Sequence, residues 1–427
     1  MSALLVLSGF LALCCLNVPI AVALGVVALA AMTISAGEPA LLNAAIVLYE
    51  GAGKFPLLAI PLFVLAGALM NATSISRRLI GFCLALVGFV RGGLAMVSIV
   101  SSMIFAEISG SSVADVAALG SILIPAMKKR GYPKELAAAV MSSAASLAII
   151  IPPSIPMILY AALADTSVVK LFIAGIVPGV LGGLMLMATA WGFARRYNLP
   201  RENMLNLSNI ATSFWDAKLA LLLPVIILGG IFGGIVTATE GGALAVVAAL
   251  AIGLYYRELN FGMLRHALYE GVTHTAVVML LVATSALLGV YLTETQIPQR
   301  LAESVTDLTQ NPLVVLAILN VVLFVLGFFL HGAAAIILIV PVVLPLINAV
   351  GIDPIHFGIV VTLNIAIGQQ TPPVASVLMV ACSIAKSNIW ETSKLNVYFI
   401  ASLVAVLMLV TYVPFVSLGL VNLLYGP

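Results

Sequence analysis

Polar interruptions in a very apolar chain carry the residues that could do chemistry. One is Ser109-Gly110-Ser111-Ser112, set inside an apolar run from Gly92 to Met127. Two others are helix-breaking inserts. The first reads Ser142-Ser143-Ala144-Ala145-Ser146 and then Ile151-Pro152-Pro153-Ser154-Ile155-Pro156; the second reads Asn364-Ile365-Ala366-Ile367-Gly368-Gln369-Gln370-Thr371-Pro372-Pro373. Proline removes a backbone donor and clashes with the preceding turn, which frees carbonyls three and four residues earlier. Those carbonyls, with Ser and Thr hydroxyls, are hard oxygen ligands without a carboxylate, a set suited to Na⁺ in unwound membrane helices. Half-helices that restart after a break expose N–H groups and a positive dipole end, which favour an anion. The expected chemistry is reversible binding of sodium together with an organic anion. Ser112, Ser154, Gly332, Asn364, Thr371 and Pro372 are the positions expected to face that anion. The alternative for a single proline is a plain kink in a packed helix; a Pro-Pro pair beside a polar tip, in both halves, favours the site.

Other chemistries find little support. The cysteines (Cys14, Cys15, Cys83, Cys382) show no CxxC or Cys/His spacing, and each sits in an apolar run as a buried thiol would. The histidines are scattered, and neither a nucleophile motif nor a phosphate loop is present, so the chain does not read as an enzyme. A net charge of +2 without a long basic run gives no reason to expect nucleic acid. The acids Glu107 and Glu240 lie within apolar stretches, where charge is costly and functional by default. Glu240 also fits the first turn of a helix, the reading preferred here. Glu107 fits either ion coupling or support of the tip. Ser112 and Asp115 have the Ser-x-x-Asp form of a capping box, so Asp115 reads as a cap rather than an ion ligand.

The elements that must position these residues follow from composition. The chain has 427 residues, 63% of them hydrophobic and 8% charged, whereas soluble domains carry roughly 25% charged residues. It therefore reads as an all-α polytopic membrane protein in a lipid bilayer. The N-terminus lacks a leading positive charge and is interrupted at Asn17-Val18-Pro19, so it is expected to be a retained span, not a signal peptide. One helix over Gly92–Met127 would be roughly 54 Å long, against a hydrocarbon core of about 30 Å. Arg91 flanks that run on one end and Lys128, Lys129 and Arg130 on the other, which puts both ends on the cytoplasmic side. A re-entrant hairpin over 92–127 with its tip at 109–112 satisfies both facts; an ordinary helical hairpin is the alternative. Full spans are expected near 3–16, 18–35, 56–74, 135–164, 168–193, 215–234, 238–256, 271–292, 355–385 and 395–423.

Shifting the chain by 220 positions exposes an internal repeat. Pro125 falls on Pro345, Gly131 on Gly351, Pro152 on Pro372, Pro153 on Pro373 and Ser112 on Gly332, which places a second tip at His331-Gly332-Ala333. The second hairpin, 311–348, is flanked by Asp307, Asn311, Asn348 and Asp353 rather than by Lys or Arg, so it should enter from the opposite side. The expected domains are two inverted repeats. Residues 1–210 hold scaffold spans 3–74, an interfacial arm 76–90, hairpin 92–127, broken span 135–164 and span 168–193. Residues 211–427 hold scaffold spans 215–292, arm 297–310, hairpin 311–348, broken span 355–385 and span 395–423. The arms could equally be connecting loops. About ten full spans result, with Lys128–Lys134 cytoplasmic and both termini outside if 3–35 makes two crossings rather than one.

The stretch Ile108–Asp115, the run Lys128-Lys129-Arg130-Gly131-Tyr132-Pro133, Ile151-Pro152-Pro153-Ser154, Thr239-Glu240-Gly241-Gly242-Ala243 and Gln370-Thr371-Pro372-Pro373-Val374 together resemble the large membrane subunit of tripartite ATP-independent periplasmic (TRAP) transporters. The resemblance runs from end to end. It implies an elevator-type, inverted-repeat fold of the ion-transporter superfamily in the bacterial inner membrane. It also implies a sodium-driven importer of an organic acid, such as a C4-dicarboxylate, sialic acid or another sugar acid. A small four-helix membrane subunit and a periplasmic substrate-binding protein would be partners. Two or more Na⁺ ions would be held by Ser109, Gly110, Ser111 and Ser112 with Ile150, Pro152 and Ser154, and by His331 and Gly332 with Gly368, Gln370 and Thr371. His331 stands at the second tip where the first has Ser111. A self-sufficient sodium-coupled anion carrier of the same superfamily is the alternative.

Overall fold

A computed structural model describes residues 3–426 apart from 17, 38, 203, 205 and 331. Every regular element among them is a helix. The first half runs α1 (Ala3–Cys15), α2 (Ile20–Ala36), α3 (Pro39–Ala52), a 3-10 turn (Phe55–Leu58), α4 (Ala59–Asn71), α5 (Ile75–Val87), α6 (Gly93–Ser109), α7 (Ser112–Lys129), α8 (Lys134–Ser146), α9 (Ile155–Leu163) and α10 (Val168–Arg196). The second half runs α11 (Leu207–Phe232), α12 (Ala238–Tyr255), α13 (Phe261–Glu294), α14 (Ile297–Leu308), α15 (Pro312–Phe329), α16 (Gly332–Ala349), α17 (Pro354–Gly368), α18 (Ser376–Ala385), α19 (Ile389–Tyr412) and α20 (Phe415–Tyr425).

The repeat is visible in these boundaries. At the offset that carries Pro152 onto Pro372, α7 falls on α16 end for end, and α6 and α8 fall on α15 and α17 with only small shifts. Both Pro-Pro bonds are cis, and Gly131 and Gly351 both take a left-handed backbone, at φ +85° and +72°, where each hairpin hands over to its broken helix. The two arms form as the amphipathic helices α5 and α14. The first pair is two separate helices, and Gly9 of α1 packs toward Val27 of α2.

Two expectations need correction. The span expected over 56–74 is only part of a bent pair: α3 precedes it, and Leu41–Ala52 meets Phe55–Asn71 at 61°. Gly51, Gly53 and Pro56 account for the bend, since none sustains a helix interior. The span expected over 395–423 is α19, which starts earlier and stops at Tyr412, followed by the separate α20. Its start is polar: Asn388 accepts the Trp390 N–H at 2.8 Å and Lys394 pairs with Glu391 at 2.8 Å. Its end is set by Pro414, which has no N–H to carry the ladder on. Seven helices among the described residues are long and apolar enough to cross a membrane, or eight with the bent pair. They include both halves of the second hairpin, so length alone does not sort crossings from re-entrant halves.

Packing separates a scaffold from an inner bundle. The scaffold gathers α2, α3 and α4 around α13, with α12 against α4 and α11 against α12 and α5. In the bundle each hairpin's second helix packs on its own repeat's broken helix and on the far half of the other's: α7 on α8 and α18, α16 on α17 and α9. The helices that carry the breaks are buried on every side, from Leu136 to Ser146 in α8 and from His356 to Gly368 in α17. The outer helices instead expose large apolar side chains, among them Val225, Leu254, Val272 and Val321, the surface a hydrocarbon solvent requires.

Candidate functional site

The first tip is built by chain chemistry. Helix α6 ends at Ser109; Gly110 takes a left-handed backbone (φ +57°) and donates its N–H to the Ala106 carbonyl at 3.3 Å. Ser111 is extended, and its hydroxyl accepts the Ala114 N–H at 3.5 Å, so α7 starts at Ser112. The cap is thus Ser111, one residue before the Ser112 expected from the Ser-x-x-Asp pattern, because the glycine turn consumes a single residue. Asp115 is buried in the first turn of α7, where a carboxylate complements the dipole. A Cβ on Gly110 would lie 3.2 Å from the Ile155 nitrogen and 3.3 Å from the Pro153 carbonyl oxygen. The tip therefore rests on the break of its own repeat. In that break Ser154 caps α9, accepting the Met157 N–H at 3.4 Å and donating to the Ile149 carbonyl at 2.7 Å. The side chains of Glu107 and Ser109, and all of His331, lie outside the described residues.

The second tip rests on the second break in the same way. A Cβ on Gly332 would collide with the Gln369 amide, and Gly327 and Gly368 meet backbone to backbone. Val374 donates its N–H to the Phe328 carbonyl at 3.3 Å, and Val377 to the Gln369 carbonyl at 3.1 Å. Behind this contact lies a buried amide network. Ser143 of α8 donates to Gln370 Oε1 at 2.7 Å, while Asn396 of α19 donates to the Gln370 carbonyl at 3.1 Å. Asn364 donates to Asn320 at 2.6 Å, and Asn320 to Thr411 at 3.1 Å. The Thr371 hydroxyl donates to the Ile367 carbonyl at 2.9 Å, which also accepts the Gln370 N–H at 3.3 Å.

Both tips and both breaks meet at one cavity of about 370 Å³, within the range that holds a small ligand. Gly110, Ser111, Ser112 and Gly332 line it, joined by Gln369 and Ser376. Ile150, Pro152, Ser154, Asn364, Gly368, Gln370, Thr371 and Pro372 stand outside the lining, in the breaks and networks behind it. The remaining wall is scaffold, with Gly67, Ala68 and Asn71 from α4 and Glu270, Gly271 and His274 from α13. Sequence reasoning missed Asn71, Glu270 and His274. A signal was available: Leu48-Tyr49-Glu50-Gly51 recurs as Leu268-Tyr269-Glu270-Gly271 at the repeat offset.

The cavity does not stand alone. Through Asn71 and Glu270 it continues into a vestibule of about 730 Å³ lined by Ser74, Arg77, Ser121 and Glu258, toward the end of α7 that carries Lys128 and Lys129. Burial alone would raise the Glu258 carboxyl, but the Ser74 hydroxyl and N–H, at 2.5 and 2.8 Å, together with Arg78 and Arg77, hold it below the usual carboxylate range. At the same end Arg130 pairs with the nearly buried Glu202 at 2.9 Å, fastening the hairpin base to the link between repeats. At the opposite end lies a pocket of about 140 Å³ lined by Gly51, Lys54, Ala162 and Pro341. There Lys54 donates to the Ala162 carbonyl at 2.9 Å.

The donor chemistry suits an alkali cation. Among the described residues no group of three or more His, Cys, Asp or Glu gathers as a metal site. Among the described residues the buried Ser112 and Ser142 hydroxyls and Asn364 Oδ1 find no hydrogen-bond partner, and an unpaired buried oxygen is costly unless something binds it. Neutral hard oxygens of this kind favour hard cations over transition metals. Glu240, by contrast, is structural: its carboxylate accepts the Thr237 N–H at 2.7 Å while its own N–H donates to the Thr237 hydroxyl at 3.2 Å, a complete capping box.

Residues 7–416 match the family described as "Tripartite ATP-independent periplasmic transporter, DctM component". The isethionate TRAP transporter permease protein DctMQ of Oleidesulfovibrio alaskensis is 40% identical over 96% of this chain, which spans 65% of that longer protein. The C4-dicarboxylate TRAP transporter large permease protein DctM of Pseudomonas aeruginosa is 42% identical over 88% of this chain and 89% of its own. Its Vibrio cholerae namesake is 38% identical over 96% and 95%. Among solved structures, the YdaH transporter of Alcanivorax borkumensis superposes with a TM-score of 0.64 over 90% of each chain at 15% identity, a likeness of fold.

Proposed function

Since the chain belongs to the DctM family of tripartite ATP-independent periplasmic transporters, we propose that it is the large permease subunit of a sodium-coupled importer of an organic acid. One observation carries this reading: two hairpin tips and two broken helices meet at a single cavity that opens toward one side. Sodium binds where carbonyls and hydroxyls are left over by the breaks, around Ser112 and behind it. The acid sits against the N–H groups that start α7 and α16, which the positive ends of those helix dipoles favour. Neither ligand needs a charged side chain on the moving bundle.

Movement follows from the wall opposite. Val64, Gly67, Ala68, Gly271 and Val278 present small or apolar surface to the tips, so the bundle can slide along the scaffold as an elevator over a wall that is apolar for much of its area, with the hydrogen bond from Lys54 to Ala162 released on the way. The vestibule leads to the basic loops, hence to the cytoplasm of a cell whose inner membrane holds the protein; the structure is then the inward-open state. Lys128–Lys134 faces the cytoplasm, and both termini lie outside. C4-dicarboxylates, which name two of the relatives, are the first substrate class to test, with sialic and other sugar acids beside them. A periplasmic binding protein delivers the acid. The third of DctMQ that lies beyond this chain leaves room for the small membrane subunit as a fused part.

The test is uptake into proteoliposomes holding this chain and its small subunit, with the binding protein outside and radiolabelled succinate, sialate and a sugar acid as probes. Accumulation that requires both an inward sodium gradient and the binding protein is expected. Accumulation without the binding protein supports a self-sufficient carrier instead, and accumulation without sodium overturns the coupling.

A further inference from the structure

The recurring Leu-Tyr-Glu-Gly tetrapeptide ends, in both copies, three residues before a nitrogen-bearing side chain: Lys54 after Gly51, and His274 after Gly271. The two glycines are packed reciprocally in the scaffold. A Cβ on Gly51 would collide with Ala286 of α13, and one on Gly271 would come within 3.3 Å of Leu65 of α4. Lys54 and His274 thus occupy equivalent places on two crossing elements, His274 in the wall of the cavity and Lys54 in that of the smaller pocket. They are not in equivalent states. Lys54, at the bend between α3 and α4, donates to the Ala162 carbonyl in the last turn of α9 at 2.9 Å, and the pocket around it is small. His274 lines the open cavity, facing Ser376 and Val380 of α18 across it. Helix α18 is the counterpart of α9, and Cys382 stands where the first repeat has Ala162.

We infer that Lys54 and His274 are reciprocal gate residues, each holding the scaffold to the last turn of one half-helix in one of the two transport states. With the outer side closed, Lys54 holds α9, as the structure shows. With the inner side closed, α18 approaches α13 and His274 donates to a carbonyl of its last turn, beside those already engaged, Cys382 by the Ser387 N–H at 3.0 Å and Ala385 by Lys128 at 2.9 Å. The physical basis is the same at both ends. The final carbonyls of a helix lack intrahelical donors and carry the negative end of its dipole, so a scaffold N–H donor is the complementary partner. Lys54 and His274 lie on the scaffold and Ala162 and Cys382 on the bundle, so each contact forms and breaks as the bundle moves. This inference rests on the alternating-access reading given above.

The experiment reads the two states separately from transport. Ser121, exposed in the vestibule, is changed to Cys as a reporter, and its rate of labelling by an impermeant maleimide from the cytoplasmic side measures the inward-open fraction. Lys54→Gln should slow labelling roughly two- to five-fold, the range for one donor at one helix end, while Lys54→Arg keeps the parental rate. His274→Leu, which has no N–H to donate, should change it in the opposite direction and speed labelling. Shifts of the same sign, or an unchanged rate in Lys54→Gln or His274→Leu, overturn the pairing. Should Lys54→Gln not assemble with its partner subunit, Lys54→Met in detergent-purified complex gives the same reading. Sodium-driven uptake by the parent is measured alongside: its absence sinks the transport reading, whereas intact uptake with unshifted labelling sinks only the gates.

Discussion

Replacing Gly110 by Ala tests whether tip geometry sets sodium binding. Two penalties follow from the structure. The residue sits at φ +57°, where an L side chain costs about 1 kcal/mol. Its new Cβ would lie 3.2 Å from the Ile155 nitrogen and 3.3 Å from the Pro153 oxygen. These are backbone atoms of the break and have no side-chain end to swing aside, so tip and break must part by a few tenths of an ångström, a further cost of about 1 kcal/mol. The second penalty falls on the liganding geometry itself, and 1.4 kcal/mol corresponds to roughly a ten-fold change in affinity. Sodium half-saturation of uptake should therefore rise about five-fold in Gly110→Ala. Gly131→Ala is the control. Its φ of +85° carries the same backbone penalty, yet nothing lies within 4 Å of a Cβ there. It should lose stability by about 1 kcal/mol and keep the parental sodium curve. Coincident sodium curves for the two variants would refute the reasoning, since backbone strain alone would then explain both.

Other perturbations separate ligand sites from packing. Ser112→Ala removes a buried hydroxyl that has no hydrogen-bond partner among the described residues; apparent melting in detergent should hold or rise while sodium dependence weakens, and a stability loss with normal sodium response would count against a ligand role. Gln370→Leu removes the side-chain oxygen that accepts the Ser143 hydroxyl, leaving Ser143 only Asn396 Oδ1 at 2.9 Å while Asn396 keeps the main-chain carbonyl of residue 370; it should cost roughly 1 kcal/mol, seen as a slightly lowered apparent melting temperature with or without sodium. Glu258 is held below the usual carboxylate range by Ser74 and Arg78, so its contribution is full at neutral pH and fades only as pH falls through that lowered value. The parent should therefore lose stability in acid more steeply than Glu258→Gln, and parallel pH profiles would show that the carboxylate contributes nothing.

Much of the architecture was legible because its signals are local or periodic. The tip at 109–112 and the Pro-Pro pairs interrupt long apolar runs, and a shared offset links them. The same logic failed where a signal was mixed. Helix α3 is short, carries Glu50 in its last turn and is followed by Gly53 and Lys54, a stretch that reads as a loop until α13 gives it a surface. The first turn of α19 holds Glu391 and Lys394, whose pairing hydropathy does not count. The cap moved from Ser112 to Ser111 because φ at Gly110 fixes how many residues a turn consumes, and composition does not encode that.

The site was half visible. Tips and breaks announce themselves by polar residues in apolar surroundings, and all four converge on the cavity. Glu270 and His274 escaped notice because they open a long helix near Arg265 and His266, where charge reads as a cytoplasmic boundary. Only the path of α13 past both tips brings them to the cavity. Asn364 and Gln370 drew attention as polar groups and proved to be buried in networks with Asn320, Ser143 and Asn396, partners that lie far away in the chain.

The central claim is that two interrupted helix pairs enter from opposite sides and meet. Single cysteines at Lys129, at the base of the first hairpin, and at Asn348, at the base of the second, both exposed, test it by labelling with an impermeant maleimide in intact cells and in inside-out vesicles. Lys129→Cys should react only in vesicles and Asn348→Cys only in cells; reaction of both from the same side would contradict the account.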